Sequence, residues 1–369
     1  MEESQIKVSV IIPVYNEERY LRKCLDSMVS QTLRGIEAIV VNDGSRDGSE
    51  DIIAEYAEAY PGLIIPVNKK NEGVSAARNA GLKIARGQYI GFADADDYAA
   101  PDMYRKMYGK AAYGKADLTV CRRYSIMRHG KLLIEKNYRR FIRNMVEHGQ
   151  EVMEVRSSAD IGRLLENISV FIWDKLFDRA VIQKEGLTFT EGNVYGEDFA
   201  FSAKYLTHVK RAAFVDEPLY YYNAVNELST TRTISQSWYN IYENLEEVLD
   251  YYDAKGLFSD LETSLCDVSF RYYDRRVNSL LFYGGKVFQY RFVKYSQTFM
   301  SKWFPGWKKQ MLLSREIVAP FVKVSLPLMA VYIFIPNVIK QAMAMPFLIR
   351  NGYRPFESET DRGEGGLRR

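Results

Sequence analysis

Four short β-branched runs alternate with helix-period segments between residues 7 and 97, and this alternation constrains the fold most. Residues 7–14, KVSVIIPV, are almost continuously apolar, as in a strand buried on both faces of a parallel sheet. From Glu18 the apolar positions Leu21, Leu25, Met28 and Val29 take helical spacing. Residues 36–41, IEAIVV, form a second strand, followed by a helix over 49–60. A third strand at 63–67 and a helix over 73–86 lead to a fourth strand, Tyr89-Ile90-Gly91-Phe92-Ala93. Strand-helix alternation with short connections predicts a parallel sheet covered on both faces, with right-handed crossovers.

In such sheets ligands bind beyond the carboxyl ends of the strands. Each predicted strand here ends in a polar cluster: Tyr15-Asn16-Glu17, Asn42-Asp43-Gly44-Ser45, residues 68–71, and Asp94-Ala95-Asp96-Asp97. Asp is depleted in strands, so three carboxylates in four residues directly after a core strand stand out. They suit a hard divalent cation completed by substrate phosphates; the alternative is a solvated turn with an Asx cap. Tyr15 offers a flat face for a base, Asp43 an acceptor for base N–H or ribose hydroxyl, and Arg78 a phosphate contact. Asp94 and Asp96 suit ribose and a metal. No GxGxxG follows the first strand and no GxxxxGK[ST] occurs, which disfavours a dinucleotide fold or a P-loop. A nucleoside diphosphate held with Mn²⁺ or Mg²⁺ fits these residues.

The net charge of +3 over 369 residues argues against a dedicated nucleic-acid binder. Three scattered cysteines, Cys24, Cys121 and Cys266, indicate neither a disulfide framework nor a zinc site. The first residues, MEESQ, are acidic and polar, unlike a signal peptide.

The segments VSVIIPVYNEERYLRKCLDS, VVNDGSRDGS, NEGVSAARNAGL and YIGFADADD, in this order, closely resemble the family 2 glycosyltransferases of the GT-A fold. They cover roughly the first third of the chain, and the set is highly specific. The resemblance implies an α/β parallel or mixed sheet flanked by helices. It also implies an inverting transfer from a nucleotide-sugar, usually a UDP-sugar, by a hexosyl- or N-acetylhexosaminyltransferase. By position, Pro13, Tyr15 and Glu17 fall where the family contacts the base, Asp43 on its uracil/ribose aspartate, and Asn71 and Arg78 in its nucleotide-side segment. Asp94-Ala95-Asp96 falls on the DxD motif, with Asp94 facing ribose and Asp96 ligating the metal. Phe171-Ile172-Trp173-Asp174-Lys175 is similar to a segment that precedes the family's catalytic acid, with Asp174 in place of a commoner Asn. Trp173 is read either as an acceptor-side wall for a sugar or as core, and Lys175 either as a phosphate or acceptor contact or as surface. Glu197 and Asp198 look locally like a helix N-cap. In the family such a pair sits at the acceptor pocket, which makes Asp198 the general base and Glu197 an acceptor contact. Arg232 lies in a Ser/Arg loop that in relatives closes over the donor diphosphate.

Residues 125–160 are charged and weakly patterned, and read as an insertion or acceptor-side loop. Residues 235–300 read as a helical bundle that could serve a dimer. Residues 301–350 carry seven Lys/Arg against one acid, and 324–339 are sixteen residues without charge but with Pro327 and Pro336. A spanning helix needs about 20 apolar residues, so this segment is expected to lie in the membrane surface rather than to span it. The organisation expected is a nucleotide-sugar-binding catalytic domain over 1–230, a helical extension over 231–300, a membrane-associating segment over 301–355 and a disordered tail over 356–369. The function expected is sugar transfer to a hydroxyl of a glycan, lipid-linked, in bacterial cell-surface polysaccharide synthesis at the cytoplasmic face of the membrane. A metal-dependent nucleotidyl or phosphoryl transferase, or a non-catalytic glycan-binding scaffold, is the alternative.

Overall fold

The structure is a computed structural model that describes residues 6–127, 130–134, 142, 149, 151–169, 171–193, 195–226, 239–280, 295–296 and 298–306. The chain divides into two units, Met1–Val268 and Ser269–Arg369. In the second unit, the described residues include a helical stretch at 298–303, closed by the Phe304 amide bonding the Met300 carbonyl at 2.9 Å.

The first unit is built on one sheet. Strands β1 (Val8–Val14), β2 (Ile36–Asn42), β3 (Ile64–Asn68) and β4 (Tyr89–Phe92) run parallel in the order β3-β2-β1-β4. They are linked by α1 (Glu18–Val29), α2 (Ser49–Ala59) and α3 (Val74–Ile84), as the alternation predicts. Beyond β4 the sheet becomes mixed. β9 (Lys175–Asp178) pairs antiparallel with both β4 and β6 (Leu118–Ile126). β6 runs parallel to β10 (Arg211–Asn223), and the two-residue β5 (Tyr98–Ala99) closes the edge against β10.

The described residues within 125–160 include regular elements that the sequence does not suggest. They contribute β7 (Leu132–Ile134) on β6, β8 (Val152–Glu154) on β10, and the start of α5 (Ser158–Asn167). A Ser157/Asp160 capping box opens α5, which explains a helix start with little apolar signal before it. Further helices among the described residues are α4 (Met103–Gly114), α6 (Arg179–Glu185), α7 (Glu197–Leu206), α8 (Asn240–Ala254) and α9 (Phe258–Leu280). α8 packs on α7.

β1 sits between β2 and β4 with most of its side chains fully buried. Two glycines let neighbours close on it. A Cβ at Gly81 of α3 would lie 2.5 Å from Ile11 Cγ2. A Cβ at Gly87 would lie 2.4 Å from the Ser9 backbone nitrogen. At the opposite end from the strand-end clusters, Glu37 is buried but fully engaged. It accepts from Ser9 Oγ at 2.6 Å and from the amide and guanidinium of Arg86. Burial pushes its carboxyl up, and the Arg86 and Ser9 hydrogen bonds outweigh this and hold it below the usual carboxylate range.

Candidate active site

The polar strand-end clusters all lie on one edge, and those after β1, β2 and β3 are bonded to one another. Asn16 takes a left-handed conformation, φ 55°, after β1. Its amide donates to Ser45 Oγ at 3.1 Å, and its Oδ1 accepts from the Arg46 amide at 2.7 Å. The turns after β1 and β2 are thereby joined. Asp43 joins the turn after β2 to the one after β3. It accepts from Lys69 Nζ at 2.7 Å and from the amides of Glu72 and Gly73 at 3.0 and 2.8 Å. Asp43 is buried, and its carboxylate shapes the start of α3. Asn71 is exposed beside it, its amide 2.9 Å from where a Cβ on Gly44 would stand. Gly44, with φ 71°, is therefore held as glycine by both conformation and space. Tyr15 is 45 % exposed, leaving its ring open for stacking, and Pro13 is half-buried.

The turn after β4 carries the acidic run. The Asp94 amide donates to the Tyr220 hydroxyl at 3.1 Å. Asp96 Oδ2 accepts from Asn226 Nδ2 at 2.7 Å. Asp97 is buried and accepts from the Asn223 amide at 2.6 Å, so it fastens the turn to β10 rather than facing a ligand. Burial, then Asp94, pushes the Asp96 carboxyl up to about 6. Burial, then Asp96, Asp94 and Asp47, pushes Glu17 up to about 8. Carboxylates that raise one another in this way form a field that a cation would relieve. Among the described residues no group of three or more His, Cys, Asp or Glu is placed to hold a metal by protein ligands alone. The raised carboxyl of Asp96 in this field suits a divalent ion that substrate phosphates would complete.

A stability prediction arises here. Glu17 has a raised folded-state pKa, so the folded state holds its proton longer than the unfolded state does. Its contribution is present below the unfolded pKa and is lost as pH rises from about 4.5 to about 8. Glu17→Gln, measured with chelator present, should raise the melting temperature by several degrees near pH 8 and leave it unchanged near pH 4.5. Equal shifts at both pH values would refute the repulsion.

Arg78 brings the acidic turn and α7 together. Its Nη2 donates to Asp94 Oδ1 at 3.1 Å. Its Nη1 donates to Glu197 Oε1 at 3.0 Å and to Asp198 Oδ1 at 2.8 Å. The arginine is buried, and its guanidinium lies 5.4 Å from the centre of the Phe189 ring. The sequence suggests a phosphate contact; the structure commits this side chain to three carboxylates instead. Glu197 and Asp198 open α7 behind Gly196, whose φ of 86° turns the chain into the helix. Burial pushes both carboxyls up against the opposing pull of Arg78.

Two acceptor-side assignments are corrected. Trp173 is 1 % exposed and stacks on Tyr220 at 4.5 Å and on Phe171 at 4.9 Å, so it is core. Lys175 is 1 % exposed, with Nζ bonded to the Phe171 carbonyl at 2.5 Å and to Asp174 Oδ1 at 2.6 Å. Asp174, which replaces the commoner Asn, supplies the charge that makes this burial tolerable. Arg232 and the apolar run 324–339 lie outside the described residues. Asn223 and Asn226, which orient Asp97 and Asp96, carry no local sequence signal; only the return of β10 to this edge brings them there.

The family model for Glycosyl transferase family 2 matches residues 9–158. The chain is 28 % identical to the uncharacterized glycosyltransferase EpsJ of Bacillus subtilis over 265 residues, covering 70 % of this chain and 74 % of EpsJ. It is 34 % identical to the glycosyltransferase GlyA of Streptococcus pneumoniae over 239 residues, 63 % of this chain and only 32 % of GlyA. The crystal structure of Staphylococcus aureus TarS 1–349 in complex with UDP-GlcNAc superposes with a TM-score of 0.66 at 18 % identity, covering 94 % of this chain and 92 % of that one. At that identity the likeness speaks for the fold, a GT-A mixed sheet flanked by helices. Residues 9–158 thus match a family 2 glycosyltransferase domain, and the chain is a glycosyltransferase.

Proposed function

We propose that this enzyme transfers a sugar from a nucleotide-sugar, a UDP-sugar in the first place, to a hydroxyl of a cell-surface glycan, with inversion in a single displacement. The observation that carries this reading is the Arg78 bridge. It sets the Glu197–Asp198 pair and the Asp94–Asp96 turn in one cluster at the carboxyl edge of the sheet. Inversion in one step needs a carboxylate to take the acceptor proton as the oxygen attacks the anomeric carbon. In this reading Asp198 is that base, and Glu197 beside it contacts the acceptor. Pro13, Tyr15 and Glu17 border the base of the nucleotide, Asp43 and Asn71 its ribose side, and Asp94 the ribose. Asp96 would hold Mn²⁺ or Mg²⁺, which when bound supplies charge neutralisation for the departing diphosphate.

The choice of donor draws on TarS, whose complex contains UDP-GlcNAc. The choice of acceptor draws on a relative named as a poly(ribitol-phosphate) β-glucosyltransferase, 28 % identical over 257 residues. The proposed organisation keeps a catalytic domain over 1–230, a helical extension over 231–300, a membrane-associating segment over 301–355 and a tail beyond. The excess of positive charge in 301–350 supports attachment at the cytoplasmic face of the membrane, where a lipid-linked acceptor would be met. No helix among the described residues is long and apolar enough to cross a membrane.

The deciding experiment is a donor screen with purified protein, reading nucleoside diphosphate release with Mn²⁺, with Mg²⁺ and with chelator. Release of a nucleoside diphosphate in step with sugar transfer is the expected result. Release of sugar 1-phosphate would replace this reading with nucleotidyl transfer, and release of nucleoside monophosphate would replace it with transfer of a phosphosugar.

A further inference from the structure

We infer that Arg78 is a positioning residue for the general base: it fixes the Asp198 carboxylate by one oxygen and ties it to the same frame that carries the donor-side Asp94. This inference rests on the reading of Asp198 as base. Arg78 is one residue doing three things with one guanidinium. Nη1 is shared by Glu197 Oε1 and Asp198 Oδ1, and Nη2 reaches Asp94 Oδ1. The planar fork fixes both directions at once, which a lysine ammonium cannot do.

The fork is itself held. Arg78 lies in the middle of α3, whose Gly81 allows the helix to press on Ile11 of the central strand. Its guanidinium lies by the Phe189 ring, and Phe189 stacks on Phe201 of α7 at 4.3 Å and packs edge-on to Phe92 of β4 at 5.4 Å. α3, β4 and α7, the elements that carry Arg78, the acidic turn and the base, therefore share one aromatic cluster. Arg78 takes up Asp198 Oδ1 at 2.8 Å, so in this reading Oδ2 is the oxygen that receives the acceptor proton.

The charged groups that act on Asp198 from the packed elements are Arg78 of α3, Glu197 of α7, Asp94 of the β4–β5 turn and Lys175 of β9. Of these, Arg78 and Lys175 favour the ionised base, and burial, Glu197 and Asp94 oppose it. Only Arg78 among them bonds the base directly, so its removal should both release the carboxylate and make it harder to ionise.

The test uses the full chain and the donor found active in the screen above, with Arg78→Met, Arg78→Lys and Asp198→Asn. Arg78→Met should lower kcat roughly 10²-fold through misplacement of the base. Its acid limb in kcat against pH should move up by about one unit or more. Donor KM should stay within a few-fold of the parent. Arg78→Lys should bring the acid limb back toward the parent, because the charge returns, while kcat stays low, because the fork does not. In an Asp198→Asn background, Arg78→Met should cost far less than it does alone, since the two act as a unit. Should Arg78→Met fail to fold, Arg78→Lys and its combination with Asp198→Asn carry the same readings. A raised donor KM with an unmoved acid limb would overturn the inference in favour of a phosphate contact. A lowered melting temperature with unchanged kcat and pH profile would overturn it in favour of a purely structural ion pair. Full activity in Asp198→Asn would overturn the base assignment beneath it; an inactive Asp198→Asn with an unshifted Arg78→Met overturns this inference alone.

Discussion

Asp198→Asn is expected to lower kcat by about 10²–10⁴-fold, the usual worth of a positioned proton acceptor. Donor KM should change little, because an acceptor-side base acts in the transition state and not in holding the nucleotide. Asn keeps the shape of the carboxylate, and Arg78 retains Glu197 and Asp94 as partners, so the fold should survive. In the parent enzyme the acid limb of kcat/KM should lie above the ordinary carboxylate range of roughly 4. Burial favours the neutral form of Asp198, so the base is ionised, and active, only at higher pH. The sign is fixed: activity climbs as pH rises through the folded-state pKa and falls below it. A limb that stays at ordinary carboxylate pH would show the base to be elsewhere. A variant with near-parental turnover would do the same.

Gly87→Ala is expected to destabilise the first unit by about 3 kcal/mol or more, the upper end of overpacking, because backbone rather than side chain stands in the way. The new Cβ would lie 2.4 Å from the Ser9 nitrogen and 2.7 Å from the Val8 carbonyl carbon. Neither can retreat, since β1 is hydrogen-bonded on both sides, to β2 and β4. The Gly87 amide also donates to Ser9 Oγ, which in turn holds Glu37, so displacement would loosen a buried carboxylate as well. A melting temperature lower by roughly 6–12 °C is expected for a unit of this size. Gly109→Ala is the control. Gly109 lies in α4 with nothing near its absent Cβ, so it should hold or raise the melting temperature. If both variants melt alike, the close approach at β1 is not what holds Gly87.

The parallel half of the sheet was legible because its strands are buried on both faces. Residues of that kind write themselves as unbroken apolar runs, and the helices between them as a 3.6-residue period. The strand-end clusters were legible for a related reason: a run such as YIGFA followed by DADD breaks strand propensity abruptly. β7, β8 and the capping-box start of α5 were not legible. They are short, charged and dependent on β6 and β10 for pairing, so their local pattern is weak.

Among the site residues, the sequence placed Tyr15, Asp94, Asp96, Glu197 and Asp198 at strand and helix ends, and the fold keeps them there. It left Trp173 open between pocket wall and core, and offered Lys175 no buried role, since an aromatic or a lysine alone does not say which side of a surface it lies on. Burial decides between these, and burial depends on Phe171, Tyr220 and Asp174 closing around them. The chemical alphabet of the site, carboxylates at the carboxyl edge of a parallel sheet, was thus a property of the sequence alone. The partner of those carboxylates was not. Arg78 stands 16 residues before Asp94 and 120 before Asp198, and nothing in spacing relates them. Only the packing of α3, β4 and α7 around one aromatic cluster turns an arginine read as a phosphate contact into the bond between the two halves of the site. A buried guanidinium must find its carboxylates in three dimensions, whatever their separation along the chain.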